Sequence, residues 1–221
     1  AAFGGNIRFS KHNLSVSGPG EIKAVSESQI CIFCHTPHNA RRDIPYLWNR
    51  GDRTVSYVPY QSSTLFARVG QPTGSSKLCL SCHDGTIALG AVVSEPEEIR
   101  FQGAIRFMPE GPSRIWTDLS DDHPVSFVYD GNLAQARLGL ADPALLPPAI
   151  KLDNNGQLQC TACHDPHDDT LGNFLVMSNQ FSGLCTSCHA KEGWAVSSHA
   201  LSNARWNGTG TNPWPNTDYR T

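Results

Sequence analysis

Eight cysteines stand in four copies of one pattern, Cys-x-x-Cys-His, and no cysteine lies outside it. The copies are Cys31-Ile32-Phe33-Cys34-His35, Cys79-Leu80-Ser81-Cys82-His83, Cys160-Thr161-Ala162-Cys163-His164 and Cys185-Thr186-Ser187-Cys188-His189. Two thiols at this spacing can bond covalently to a porphyrin edge while the following histidine reaches the iron from one face, which is the attachment chemistry of c-type haem. Paired cysteines also serve redox dithiols, zinc sites and disulfide frameworks. None of those requires the histidine four times over. The pattern implies four haem c groups held by Cys31, Cys34, Cys79, Cys82, Cys160, Cys163, Cys185 and Cys188. His35, His83, His164 and His189 are the proximal iron ligands.

Five histidines remain for four distal positions: His12, His38, His123, His167 and His199. Flanking residues reveal an internal duplication. Motifs one and three continue as Cys-His-x-Pro-His, ending at His38 and His167, whereas motifs two and four are preceded by Leu78 and Leu184 and carry Ser81 and Ser187. His12-Asn13-Leu14-Ser15 precedes the first pair and His123-Pro124-Val125-Ser126 the second. This symmetry favours His12, His38, His123 and His167 as distal ligands, with His199 in reserve and Met108 and Met177 as packing residues. His38 and His167 lie too soon after their proximal neighbours to reach the far face of the same haem, so each is expected to cap an adjacent one. Bis-histidine ligation closes the iron to substrate, because chemistry at a metal needs an open position. The ligand count therefore points to an electron-transfer protein rather than an enzyme. No Gly-x-Ser-x-Gly elbow, phosphate loop or dinucleotide fingerprint competes.

The elements that must hold these residues look sparse. Hydrophobic residues make up 39% of the 221 residues, and 19 glycines and 15 prolines punctuate the chain, which is thin material for an ordinary core. The expected fold is mostly irregular coil with short helices and few strands, wrapped around a line of four haems. It forms a single unit from 1 to 221, duplicated as halves near 1–110 and 111–221. Short helices are expected over the motifs and at 132–140 and 194–203, and strands at 54–58 and 125–129. The tail, residues 203–221, carries Trp206, Trp214 and Tyr219, suited to packing on its own shell or on a neighbouring subunit.

Net charge is only −3, and no basic cluster suggests nucleic acid. The longest apolar stretch, around Ile87 to Val93, falls far short of the roughly 20 residues of a membrane span. The chain opens Ala1-Ala2-Phe3 without Met, as an exported and processed protein would.

The segments Ser10-Lys11-His12-Asn13-Leu14-Ser15, Cys31 through Ala40, Leu47-Trp48-Asn49-Arg50 and Asp122-His123-Pro124-Val125-Ser126-Phe127 resemble the multihaem c-type cytochromes of metal-respiring bacteria such as Geobacter. The resemblance is greatest to the tetrahaem, filament-forming outer-surface type. It implies haem attachment outside the cytoplasmic membrane and a place in the periplasm, on the outer surface or outside the cell. It also implies a homopolymeric nanowire in which one distal histidine is donated across the subunit boundary; His38 is favoured for that role, with His12 as runner-up. Other multihaem cytochromes, metal oxides or another cell would be the electron partners. A monomeric periplasmic shuttle, and less favourably a haem reductase with an open iron, are the alternatives.

Overall fold

The computed structural model describes residues 6–51, 54–136, 139–197 and 201. Among these, irregular backbone dominates. Three short α-helices occur, α1 (Gly74–His83), α2 (Gly131–Ala136) and α3 (Gly183–Cys188), together with one two-stranded antiparallel sheet, β1 (Phe127–Val128) and β2 (Gln157–Leu158). Phe127 pairs with Leu158 and Val128 with Gln157. The expectation of a coil-rich chain with short helices and few strands holds.

The four motifs fall into two structural kinds. Motifs two and four end α-helices, whereas motifs one and three form single 3-10 turns, Cys31–Phe33 and Cys160–Ala162. Proline accounts for the difference. Pro37 and Pro166 push Thr36 and Asp165 out of helical geometry, so neither turn can run on past its histidine. In motif two the helix instead ends on Gly85, whose φ of 72° puts it in the left-handed region that commonly closes a helix.

The segments after motifs one and three fold alike. Asn49 N–H donates to the Cys34 carbonyl and Thr36 N–H to Leu47; Val176 donates to Cys163 and Asp165 to Phe174. Both loops hold two consecutive non-glycine residues at positive φ, Tyr46 and Leu47 in one, Asn173 and Phe174 in the other. Such conformations cost on the order of 1–3 kcal/mol each and persist only where the surroundings enforce them.

The apolar interior is two small clusters rather than one core. Ala24, Ile32, Phe33, Leu89 and Phe101 form the first, with Cys34 and Cys82 packed against it. Phe127, Tyr129, Ile150, Leu158 and Ala162 form the second, with Cys188 beside it. Met108 packs on the first and Met177 on the second.

Gln159 joins motif two to motif three. It is buried; its Oε1 accepts from Ser76 in α1 at 2.7 Å and from Ser126 at 2.9 Å, and its Nε2 donates to Asp153 at 2.9 Å. Replacing it with leucine leaves two hydroxyls without their acceptor, and Gln159→Leu is expected to cost about 2–4 kcal/mol. A thermal melt of the holoprotein should show a Tm lower by about 5–15 °C; an unchanged Tm would remove this junction from the account.

Several local expectations need correction. Residues 54–58 form no strand. Only Val58 makes an isolated bridge, to Asp118, because the segment has no continuous partner to complete a ladder. The strand expected over 125–129 shrinks to β1, since Ser126 sits at φ 61° and breaks the extended run. The helix expected over 132–140 starts at Gly131 and is described to Ala136. Of that expected over 194–203, the described residues show a 3-10 turn, Trp194–Val196, and a helical Leu201 whose N–H donates to the Ser197 carbonyl at 3.0 Å; the other later positions, and the whole aromatic tail, lie outside the described residues. No helix among the described residues is long and apolar enough to cross a membrane.

Candidate haem-binding centres

Backbone carbonyls orient the motif histidines His35, His83 and His164. Nδ1 of His35 lies 2.6 Å from the Tyr46 carbonyl, that of His83 2.6 Å from Ser113, and that of His164 2.8 Å from Asn173. A carbonyl only accepts, so Nδ1 must carry the proton and Nε2 keeps its lone pair for a metal. The paired positive-φ residues explain the geometry: the left-handed kinks at Tyr46 and Asn173 turn their carbonyls onto the rings. None of these three acceptors is legible in the sequence, because a carbonyl's position depends on backbone path rather than residue type.

Three imidazole pairs follow, each joining a motif histidine to a non-motif one. His12 faces His83 with ring centroids 6.1 Å apart, His167 faces His35 at 6.2 Å, and His123 faces His189 at 6.2 Å. Two imidazoles bonded to one metal at about 2 Å each have centroids separated by about this distance. His12 is further held by Pro166, whose carbonyl lies 3.0 Å from its Nδ1, and by stacking on Phe174 at 4.1 Å. Burial lowers the pKa of both His12 and His83, which keeps them in the neutral form that ligates. The loop behind His12 is pinned by Asn13, fully buried, whose Nδ2 donates to the Arg8 carbonyl at 2.7 Å and whose Oδ1 accepts from Ser15 Oγ at 2.7 Å. His123 Nδ1 lies 2.9 Å from the Pro124 carbonyl.

His38 and His164 are both exposed, and among the described residues neither has an imidazole partner. His199 lies outside the described residues.

All eight thiols are free, and their neighbours string the motifs together in chain order. Cys34 lies in the field of Cys82, Cys79 interacts with Cys160, and Cys163 lies in the field of Cys188. Burial pushes Cys34 up to about 12 and Cys163 up to about 11. The neighbouring Cys79 thiol pulls Cys160 down to about 7.

These residues fit haem c. No group of three or more metal-ligating side chains occurs among the described residues, but a porphyrin brings four nitrogens of its own and asks the protein for only two. Cys-x-x-Cys thiols would hold the porphyrin edge and the paired imidazoles the iron.

Sequence reasoning placed Asn49 and Arg50 in a resembling segment but gave them no role at the site. Asn49, fully buried, donates to the Ile32 carbonyl inside motif one at 2.6 Å and to Ser94 Oγ at 2.8 Å. Trp48 sets its ring edge-on to His35 at 5.8 Å. A polar Asn-Arg pair following an apolar Leu-Trp pair was the only available signal.

Among known families, the one described as Doubled CXXCH motif matches residues 154–193, which span motifs three and four. No curated protein matches the chain. Eight cysteines in four such pairs accord with a multihaem c-type cytochrome, a class whose members are typically electron carriers.

Removing a paired distal histidine should open one iron. His12→Ala is expected to let carbon monoxide bind one haem per chain in the reduced protein, read from the difference spectrum. A spectrum unchanged by the gas would break the His12–His83 assignment.

Proposed function

We propose that the chain is a tetrahaem c-type cytochrome that conducts electrons outside the cell as a homopolymer. Haem, when bound, supplies reversible Fe(III)/Fe(II) exchange. The protein's part is to hold four attachment sites in file, close each iron with two imidazoles and shield the sites from water. The sequence-order adjacency of the motif thiols supports a continuous path through one chain.

One observation carries the polymer: among the described residues the imidazoles form three motif-to-non-motif pairs, and His164 and His38 are the two left over. The duplication says how they meet. His167, which follows motif three, pairs with His35 of motif one, so the second half caps the first. Shifted by one half, His38 after motif one would cap a motif three that precedes it, and that motif belongs to another chain. The same rule then repeats from subunit to subunit. Assembly and ligation become one event, and the line of sites continues across the joint. His38 rather than His12 is the crossing residue, since His12 is already engaged within the chain.

Export to the outer surface, with metal oxides, other cytochromes or another cell as acceptors, is the setting this reading implies. Mass spectrometry should find four haems per chain, and negative-stain images should show filaments. A mass equal to bare polypeptide would end the cytochrome reading. Monodisperse single chains with four six-coordinate haems would end the polymer and favour the periplasmic shuttle, with His199 completing the set.

A further inference from the structure

Among the described residues, Arg50 is a cation buried without an anion. It has no exposed surface, and its guanidinium donates to Ser81 Oγ at 3.2 Å and to the carbonyls of Ser81 at 3.2 Å, Ala88 at 2.9 Å and Leu89 at 2.8 Å. Every acceptor is neutral. Removing such a charge from water costs several kcal/mol, and four dipoles offset that cost without cancelling the charge. A methionine could fill the space and avoid the cost, so packing alone gives no reason for an ion here.

Its position does. Ser81 is the residue inside motif two, immediately before Cys82 and His83. On the same motif, Asp84 follows His83 and is also buried, accepting from Tyr57 Oη at 2.6 Å and from Thr86 N–H at 2.8 Å. Arg50 and Asp84 share no ion pair. They are two fixed charges of opposite sign next to one attachment site, each held by neutral partners. Among charged groups, Arg50 acts most strongly on the Cys82 thiol, and Asp84 acts against it. A charge in a weakly polarisable interior acts over several ångströms with little screening.

We propose that Arg50 raises, and Asp84 lowers, the reduction potential of the haem on the second motif, so that these two residues set the level of one step in the electron path. Reduction adds an electron beside a fixed cation, which favours the reduced form; removing the cation disfavours it. The inference rests on haem attachment at Cys79 and Cys82.

Spectroelectrochemical titration of the holoprotein tests it. Arg50→Met should lower one of the four couples by at least tenfold in the reduced-to-oxidised ratio at fixed potential, equivalent to 59 mV for one electron, with smaller changes in the other three. Arg50→Lys, which keeps the charge and loses the fork of hydrogen bonds, should stay nearer to wild type. Asp84→Asn, whose Oδ1 can still accept from Thr86 N–H while its Nδ2 donates to Tyr57 Oη, should move the same couple upward. Four couples unmoved in Arg50→Met, all four shifted equally, or a fall in Arg50→Lys as large as in Arg50→Met would overturn the proposal. If Arg50→Met fails to mature, Asp84→Asn decides alone: an unmoved couple there overturns it. Haem content by mass separates the two levels of the argument. Four haems with unmoved couples refute the charge effect only, whereas no haem refutes attachment and the charge effect together.

Discussion

His38→Ala should yield protein with four haems per chain and no filaments. The substitution removes no fold contact of consequence, because the His38 side chain is exposed and the loop is held instead by Thr36, whose Oγ1 donates to the His38 carbonyl at 2.8 Å. What it removes, on the proposed polymeric reading, is the imidazole for a neighbour's iron. Loss of one coordinate bond per joint should weaken association at least a hundredfold, about 2.8 kcal/mol, read by sedimentation or size exclusion across a dilution series. The iron on motif three should then bind carbon monoxide when reduced, one equivalent per chain, while wild-type filaments bind none. His199→Ala should leave both readouts untouched. Filaments at ordinary concentration with four closed irons in His38→Ala would refute the crossing ligand. Opening of the iron by His199→Ala instead would favour ligation within one chain.

A chain denied haem at all four motifs, with the eight cysteines changed to alanine, should have no cooperative melting transition. Each apolar cluster contains only five buried residues, and the two cannot offset the conformational entropy of ordering so long a coil. The positive-φ pairs at Tyr46–Leu47 and Asn173–Phe174 add strain that only a fixed histidine ring rewards. Binding energy for the cofactor is therefore folding energy. Far-UV circular dichroism and amide exchange measure this. A sharp transition and protected amides in the haem-free chain would mean that the polypeptide supplies its own core, and would weaken the shell argument.

How much of this could be read from residues alone varies with the kind of feature. The attachment sites could, because covalent chemistry demands fixed residue types at fixed spacing. The coil-rich character could too, since glycine and proline act locally. The two motif kinds were visible as Pro37 and Pro166 against their absence in motifs two and four, although their expression as 3-10 turns and helices was not. Strand 54–58 was misread because β-branched residues specify a strand only when a partner lies alongside, and that partner is decided elsewhere in the chain.

Histidine pairing marks the boundary most clearly. Counting and symmetry nominated His12, His38, His123 and His167, but composition cannot say which imidazole faces which, because His12 and His83, or His167 and His35, are brought together by loops far apart in sequence. The backbone carbonyls of Tyr46, Ser113 and Asn173 leave no trace in residue identity at all. Arg50 is a surface-type residue by composition, and only the fold buries it beside Ser81. The sequence by itself therefore determined which atoms can bond to a cofactor and how many such sites exist, as bond formation is a property of local groups. Only the tertiary structure decided which imidazoles pair and which charge sits in the interior, since these depend on the path of the whole chain.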